Sequence, residues 1–354
     1  MFARGDRRVT ASSDLSIHEL SDSDKPRWDA FVQTCPGATF FHRAGWKRIM
    51  EDVFGHRAWF LYAERHGEIE AVLPLAQINS RLFGNSLMSL PFCVYGGVAS
   101  NSDEAFQKLT EVAKEKAESL NVDALEMRNR KQAYPEWAHK DLYVTFRKEI
   151  DPDPEVNLKN IPRKQRAMVR KGIKAGLEGQ WDDGIDRFYD AYSQSVHALG
   201  TPVFSRKLFS TLRDEFGDDC RILTITKEGR TIASVLNFYF RDEVLPYYGG
   251  GTSEARSLKA NDFMYWDLMC RSAEEGIRLF DYGRSKQGAG SYSFKKNWGF
   301  EPEPLHYEYH LVKAKEIPEV NPNNPKYQTF IKLWRKLPLS ATQWLGPHIV
   351  KNLG

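Results

Sequence analysis

Two groups of side chains in this chain have the types and spacing to do chemistry. The first is Lys159-Asn-Ile-Pro-Arg-Lys-Gln-Arg-Ala-Met-Val-Arg-Lys-Gly-Ile-Lys174, which holds Lys159, Arg163, Lys164, Arg166, Arg170, Lys171 and Lys174 and no acid. Pro162 suits the first turn of a helix. On such a helix 163, 166, 170 and 174 share a face, while Ala167, Met168, Val169 and Ile173 include the packing side. These cations repel one another, so a phosphate-bearing ligand is their natural counter-charge; a solvated linker helix is the plainer alternative. The second group is Asp281-Tyr-Gly-Arg-Ser285 followed by Gly290-Ser-Tyr-Ser-Phe-Lys-Lys-Asn-Trp-Gly299. It sets Arg284, Lys286, Lys295, Lys296 and Trp298 around Gly288 and Gly290, whose backbone can approach a ligand closely. Solvated lysines on a surface loop are the alternative there.

The elements that must position these groups occur twice. Phe41-His-Arg-Ala-Gly-Trp-Lys-Arg-Ile-Met-Glu-Asp-Val-Phe-Gly55 corresponds to Phe204-Ser-Arg-Lys-Leu-Phe-Ser-Thr-Leu-Arg-Asp-Glu-Phe-Gly217, each a helix running into a Phe-Gly stop. Leu90-Pro91 leading to Tyr95-Gly96-Gly97 corresponds to Leu245-Pro246 leading to Tyr248-Gly249-Gly250, and Leu125-Glu-Met-Arg128 to Phe280-Asp-Tyr-Gly-Arg284. Such self-similarity marks one unit copied. In the second copy helices are expected over 185–198, 205–216 and 261–275, the last capped by Asn261 or Asp262. Strands are expected over 221–226, 231–240, 243–248, 279–282 and 305–312. A meander, a helix and a parallel strand make an α+β layer arrangement. Pro246 cannot donate to its ladder, so the sheet should splay there and leave backbone groups free in a cleft. Only the second copy carries the Lys-Lys and Trp-Gly residues, so it should supply the chemistry and the first copy half of the substrate wall.

A length of 354 residues suits two cores, and 41% hydrophobic with 13% aromatic residues suits well-packed ones. A net charge of +3 is too small to argue for a polyanion such as DNA. Cys35, Cys93, Cys220 and Cys270 have neither zinc nor disulfide-framework spacing, and read as buried thiols in a reducing compartment. The first residues lack the apolar core of a signal peptide and no run approaches 18 apolar residues, so a cytoplasmic protein is expected. His306-Tyr-Glu-Tyr-His310 places 306, 308 and 310 on one strand face with no further ligands, so no metal is expected. His197 reads as a structural histidine. The segment 326–354 carries Trp334, Leu337, Trp344, Leu345 and Ile349 with five Lys/Arg and no acid. It either docks on the body or makes peripheral contact with an anionic membrane surface.

This order of elements, with a cleft beside the third strand, resembles the GNAT-type acyltransferase fold. The tandem copy, from about Trp28 to Val312, resembles the Fem family, which uses two such domains to transfer amino acids onto cell-wall precursors. Residues 281–285 and 290–299 look like that family's closing signature, an aspartate-led strand end followed by Phe-Lys-basic-x-Trp-Gly. Within the family the chain is most similar to FemAB-related proteins associated with exosortase (PEP-CTERM) and exopolysaccharide systems. The resemblance implies two tandem GNAT-like domains with mixed sheets: an N-terminal one over 1–155, a C-terminal one over 156–316 carrying the active site, and a basic aromatic tail over 317–354.

The chemistry so implied is attack of an amine on an activated carbonyl, which needs a neutral amine, a stabilised oxyanion and a protonated leaving group. In the family the lysine matching Lys295 is linked to the oxyanion. Tyr282, Asp281 and Tyr248 are candidates for orienting the amine or passing a proton, each equally readable as sheet packing. Arg163, Arg166, Arg170 and Lys171 would hold the phosphate of an envelope or polysaccharide precursor, with Tyr248, Arg284, Lys296 and Trp298 as further substrate contacts. No bound cofactor is expected; the donor is either an aminoacyl-tRNA or an acyl-CoA. A CoA-using domain holds pyrophosphate on a glycine-rich loop, whereas this chain has Arg256-Ser-Leu-Lys-Ala-Asn261 there. The long helical hairpin often found in tRNA-using members is also missing. The rivals are a CoA-dependent N-acetyltransferase and a non-catalytic scaffold or RNA binder.

Overall fold

Each half of the chain builds a mixed sheet from an antiparallel meander, a helical crossover and a parallel return strand. The structure is a computed structural model that describes residues 15–81, 83–318 and 325–353. The first half supplies β1 (Ser16–Glu19), β2 (Ala58–Arg65), β3 (Glu68–Ser80), β4 (Gly84–Met88), β5 (Ala99–Ser100), β6 (Ala124–Asn129), β7 (Ala138–Lys140) and β8 (Tyr143–Glu149). Its helices are α1 (Lys25–Thr34), α2 (Trp46–Arg48) and α3 (Asp103–Ser119). The second half opens with α4 (Pro154–Asn160), α5 (Arg163–Lys174), β9 (Glu178–Asp182), α6 (Asp186–Leu199) and α7 (Arg206–Phe216). There follow β10 (Cys220–Lys227), β11 (Arg230–Phe240), β12 (Glu243–Gly251), α8 (Ala255–Leu258), α9 (Ala260–Glu274) and β13 (Leu279–Asp281). Last come β14 (Ser285–Lys286), α10 (Gly290–Asn297), β15 (Pro302–Pro304), β16 (His306–Leu311), α11 (Pro325–Trp334) and α12 (Leu339–Val350).

The sheets exchange a strand. The first runs β1-β2-β3-β4-β6-β16-β7 with β5 on β3, and the second β14-β8-β13-β12-β11-β10-β9 with β15 on β8. Thus β16, from the second half, lies antiparallel between β6 and β7. In return β8, from the first half, lies between β13 and β15. The expected boundary between 155 and 156 therefore divides the chain but not its sheets. The repeat itself is visible in the crossovers, since β4 pairs with β6 and β12 with β13 in parallel.

Three apolar layers hold this together. The central one joins both sheets, with Phe60, Val72 and Ala76 of the first, Ile222, Leu236 and Phe238 of the second, and Phe188, Phe209 and the segment around Phe40 between them. Phe40 stacks on Phe238 with ring centres 4.3 Å apart. Outside the first sheet lies α3, and outside the second lie α9, α5 and Trp298. Two copied details differ. Residues 41–55 form only short turns, with α2 continuing as a π-helix over Ile49–Val53. Leu90–Gly97 is a loop where 245–250 is strand, since Leu90 and Phe92 take φ of +67° and +66° on either side of Pro91. The four cysteines are free and buried. The tail docks on α6: His197 Nε2 donates to the Leu337 carbonyl at 3.0 Å, and Gln343 Nε2 to Ser193 Oγ at 2.9 Å. Among the described residues no helix is long and apolar enough to cross a membrane.

Candidate active site

Between Asp281, opposite Arg147, and Ser285, opposite Val144, the return strand has one residue more than β8. The surplus bulges out over Tyr282, Gly283 and Arg284, with Gly283 at φ +66°, a conformation that suits glycine. Bulges turn backbone groups away from the ladder. Here the carbonyls of Gly283 and Arg284 accept from Lys295 Nζ at 2.9 and 3.1 Å. Lys295 is 8% exposed, and its ammonium lies 5.6 Å from the Phe146 ring centre and 6.0 Å from that of Tyr282. Burial pushes its pKa down to about 7, against the pull of Asp281. An ammonium has three donors. Two are engaged by the bulge, which leaves one for an incoming oxygen.

Asp281 is fully buried and saturated. Its oxygens accept from Gly283 N at 2.7 Å, Tyr95 Oη at 2.9 Å, Arg147 Nε at 3.1 Å and Thr145 Oγ1 at 3.3 Å. Arg147 also pairs with Glu243. A carboxylate so tied orients the bulge rather than abstracting protons. Arg284 differs in having no acid among the described residues: it donates to Tyr307 Oη at 3.3 Å and lies over the Tyr143 ring at 4.5 Å. Tyr282 Oη and Ser285 Oγ are buried and have no partner. Leaving such groups unpaired costs about 1–3 kcal/mol each, and a ligand that bonds them would recover it.

The first half supplies the opposing wall. The carbonyls of Phe92 and Val94 accept from Tyr247 Oη at 2.7 Å and Tyr307 Oη at 2.8 Å, and that of Cys93 from Arg128 at 2.8 Å. β12 pairs with β13 only at Glu243/Leu279 and Val244/Phe280. Beyond Val244 it bulges at Tyr247, since Leu236 faces Tyr248 and Asn237 faces Pro246. The loop 89–97 lies beside this splay.

On α5, Arg163, Lys164, Arg170, Lys171 and Lys174 are exposed and Arg166 half-buried; none of the six side chains makes an ion pair or hydrogen bond with a described residue. The buried face is Gln165, Val169 and Gly172; of the expected packing residues Val169 lies on it and Met168 is half-buried, whereas Ala167 and Ile173 point outward, Ile173 at 43% exposure. Gly172 is required because a Cβ there would stand 2.7 Å from Phe263 Cβ. Gln165 donates to Asp262 Oδ1, which also accepts from Trp298 Nε1 at 3.2 Å. Asp262 therefore ties α5, α9 and the end of α10 together instead of capping α9, whose N-cap is Lys259 in the left-handed region.

The structure thus brings Asp281, Tyr282, Arg284 and Lys295 together, packs the Trp298 ring against that of Tyr282 at 6.3 Å, and gives Tyr248 and Lys296 other surroundings. Tyr248 packs against Tyr192, Phe204 and Phe209, with ring centres 6.2, 5.7 and 5.3 Å away. The bulge at Tyr247 turns it toward α6 and away from Lys295. Trp298, three residues after Lys295, shares its inward helical face and is wholly buried in the core. Lys296 is exposed on the outer face, over Tyr292. A wide groove lined by Arg27, Phe31, Thr34, Glu68, Ile69 and Asn101 opens on the first half and contains none of these residues. Sequence reasoning did not reach Tyr95, Tyr143, Thr145, Arg147, Glu243 or Tyr307. The run Tyr143-Val-Thr-Phe, rich in strand-forming residues, was the available signal for β8.

With this geometry in hand, residues 159–296 match the family model described as Acetyltransferase (GNAT) domain. No curated protein matches the chain. Among solved structures, FemX is similar over 89% of this chain and 100% of its own, at 15% identity and a TM-score of 0.67. The C-terminal domain of a putative lysylphosphatidylglycerol synthetase from Agrobacterium fabrum matches over 81% and 91%, at 13% identity and a TM-score of 0.57. A tandem GNAT protein from the clavulanic acid biosynthesis pathway matches over 84% and 98%, at 11% identity and a TM-score of 0.53. At such identities the likeness is one of architecture: the chain has a tandem GNAT-like α+β fold, with the matched acetyltransferase domain in its second half.

Proposed function

We propose that the protein is an N-acyltransferase that moves an acyl or aminoacyl group onto an amino group of a phosphorylated cell-envelope or exopolysaccharide precursor. The observation that carries this reading is the buried Lys295 ammonium, fixed by two bulge carbonyls with one N–H unengaged. The neutral amine attacks the donor carbonyl, the C–N bond forms, and the carbonyl electron pair moves onto oxygen, where Lys295 stabilises it. Collapse breaks the C–O or C–S bond to the leaving group, which takes the proton that the amine sheds. Arg284, Tyr282 and Ser285, short of internal partners, would hold the acyl donor. Arg163, Arg166, Arg170 and Lys171 would hold the acceptor phosphate. The likeness to FemX and to a domain of a lysylphosphatidylglycerol synthetase, whose name joins an amino acid to a phospholipid, supports an aminoacyl donor and an envelope acceptor. The exosortase-associated branch is our narrower reading and rests on residues 281–299 alone.

A CoA-dependent acetyltransferase is the second reading, favoured by the domain match. Against it, the first turn of α9 carries the Asp262 carboxylate, covered by Gln165 of α5, where pyrophosphate would need free amides. The test is a mass-resolved search for transferred groups in cell extract, followed by turnover of the Lys295→Ala variant. A loss of about 10²-fold or more is expected from removing an oxyanion donor. Unchanged turnover rejects the site, and tight calorimetric binding of acetyl-CoA selects the second reading.

A further inference from the structure

Four large apolar side chains are exposed among the described residues: Ile173, Leu199, Leu333 and Trp344. Ile173 stands alone on α5. The other three lie on the tail and on the helix end it docks against: Leu199 ends α6, and its carbonyl accepts from Arg335 of the tail at 3.0 Å. Leu199 is 63% exposed, Leu333 on α11 61% and Trp344 on α12 71%. Poor docking does not explain this, because the tail's inner face is filled. Trp334 is 3% exposed, Thr342, Gly346 and Val350 are buried, and a Cβ on Gly346 would meet the Val203 backbone. Beside Leu333 in sequence, Lys332 and Lys336 are exposed, and Arg335 turns onto α6. The segment 326–354 has no Asp or Glu to balance them.

We propose that this face rests on an anionic lipid bilayer. A tryptophan presented outward among acid-free cations has the chemistry of the membrane–water interface, where its amphipathic ring is favoured and each Lys or Arg meets lipid phosphate. Scattered apolar residues on a surface are ordinary. An apolar and cationic set on a docked tail and the helix end beneath it is not. The contact does not depend on acyl transfer. The tail packs on α6, which lies against the central layer, whereas α5 lies with α9 on the other face of the second sheet, so lipid and acceptor binding are separable.

The test is co-sedimentation of the full chain with phosphatidylcholine vesicles, with and without phosphatidylglycerol, at matched ionic strength. Binding is expected only with the anionic lipid. Leu333→Ser with Trp344→Ser should weaken it at least about tenfold, and Lys332→Gln or Lys336→Gln about fivefold each, from roughly 1 kcal/mol per charge. Both sets replace exposed residues and should melt with the parent. Lys164→Gln with Lys171→Gln on α5 should bind vesicles as the parent does. Equal binding to neutral vesicles, or equal binding by the tail variants, overturns the proposal. So does displacement by inorganic phosphate at matched ionic strength, which would mean a discrete phosphate site. A dimer that Trp344→Ser dissolves without change in vesicle binding would assign the face to a second copy and overturn it too.

Discussion

Replacing Lys295 by methionine should alter how the stability of the fold depends on pH. Methionine keeps an unbranched chain between Phe146 and Tyr282 while removing the charge. Folding lowers the Lys295 pKa from 10.5 to about 7 through burial. Between those values the unfolded chain binds a proton that the folded chain has released, so stability rises with pH across the window. Below about pH 7 both states are protonated and the penalty is constant; above 10.5 neither is, and the penalty vanishes. The limiting slope is about 1.4 kcal/mol per pH unit. Between pH 7 and 9 the wild type should therefore gain about 2 kcal/mol over Lys295→Met. Urea unfolding of both proteins at the two pH values, at fixed ionic strength, measures this difference. Parallel stabilities would mean that the ammonium stays hydrated, and the case for Lys295 as a desolvated oxyanion donor would fail.

Three further outcomes are expected. Asp281→Leu leaves Arg147 facing a buried gap with only Glu243, and should cost about 3–5 kcal/mol in thermal or chemical unfolding. Gly172→Val pushes against Phe263 and should cost about 1–3 kcal/mol, with earlier proteolytic cleavage around α5. Neutralising Arg163, Arg170 and Lys171 together should raise KM for a phosphorylated acceptor by about tenfold or more while leaving kcat nearly unchanged, since charge-assisted bonds are worth about 1.5–3 kcal/mol each. A fall in kcat alone would instead place those cations at the reacting centre.

Much of the second half was legible because its signals are local. Ser205 accepts from Leu208 N as the cap of α7, and Gly217 ends that helix at φ +51°. The strands β10 to β12 and the crossover α9 fall where alternation and helical spacing put them. The pairing of β8 and β16 was not legible, because period-two patterning fixes which faces a strand shows and not which neighbour it takes. Which of its two readings Tyr248 follows was not legible for a related reason: the bulge at Tyr247 changes the face on which the next residue emerges, and sends it to packing against α6. The role of Lys295 was readable as a residue type, but its burial depends on two carbonyls that only the Gly283 bulge presents.

The strand exchange bears on how the protein is made. β16 ends at Leu311, so a nascent chain must be translated almost to that point before the sheet begun at Ser16 can be completed. Until then β6 offers a bare edge, while β8 has already been handed forward to a sheet whose other members have yet to leave the ribosome. Neither sheet is complete until the other half has supplied its strand, so the two halves are expected to fold together. Separately expressed halves cut near residue 155 should each remain insoluble, and should recombine only when synthesised together.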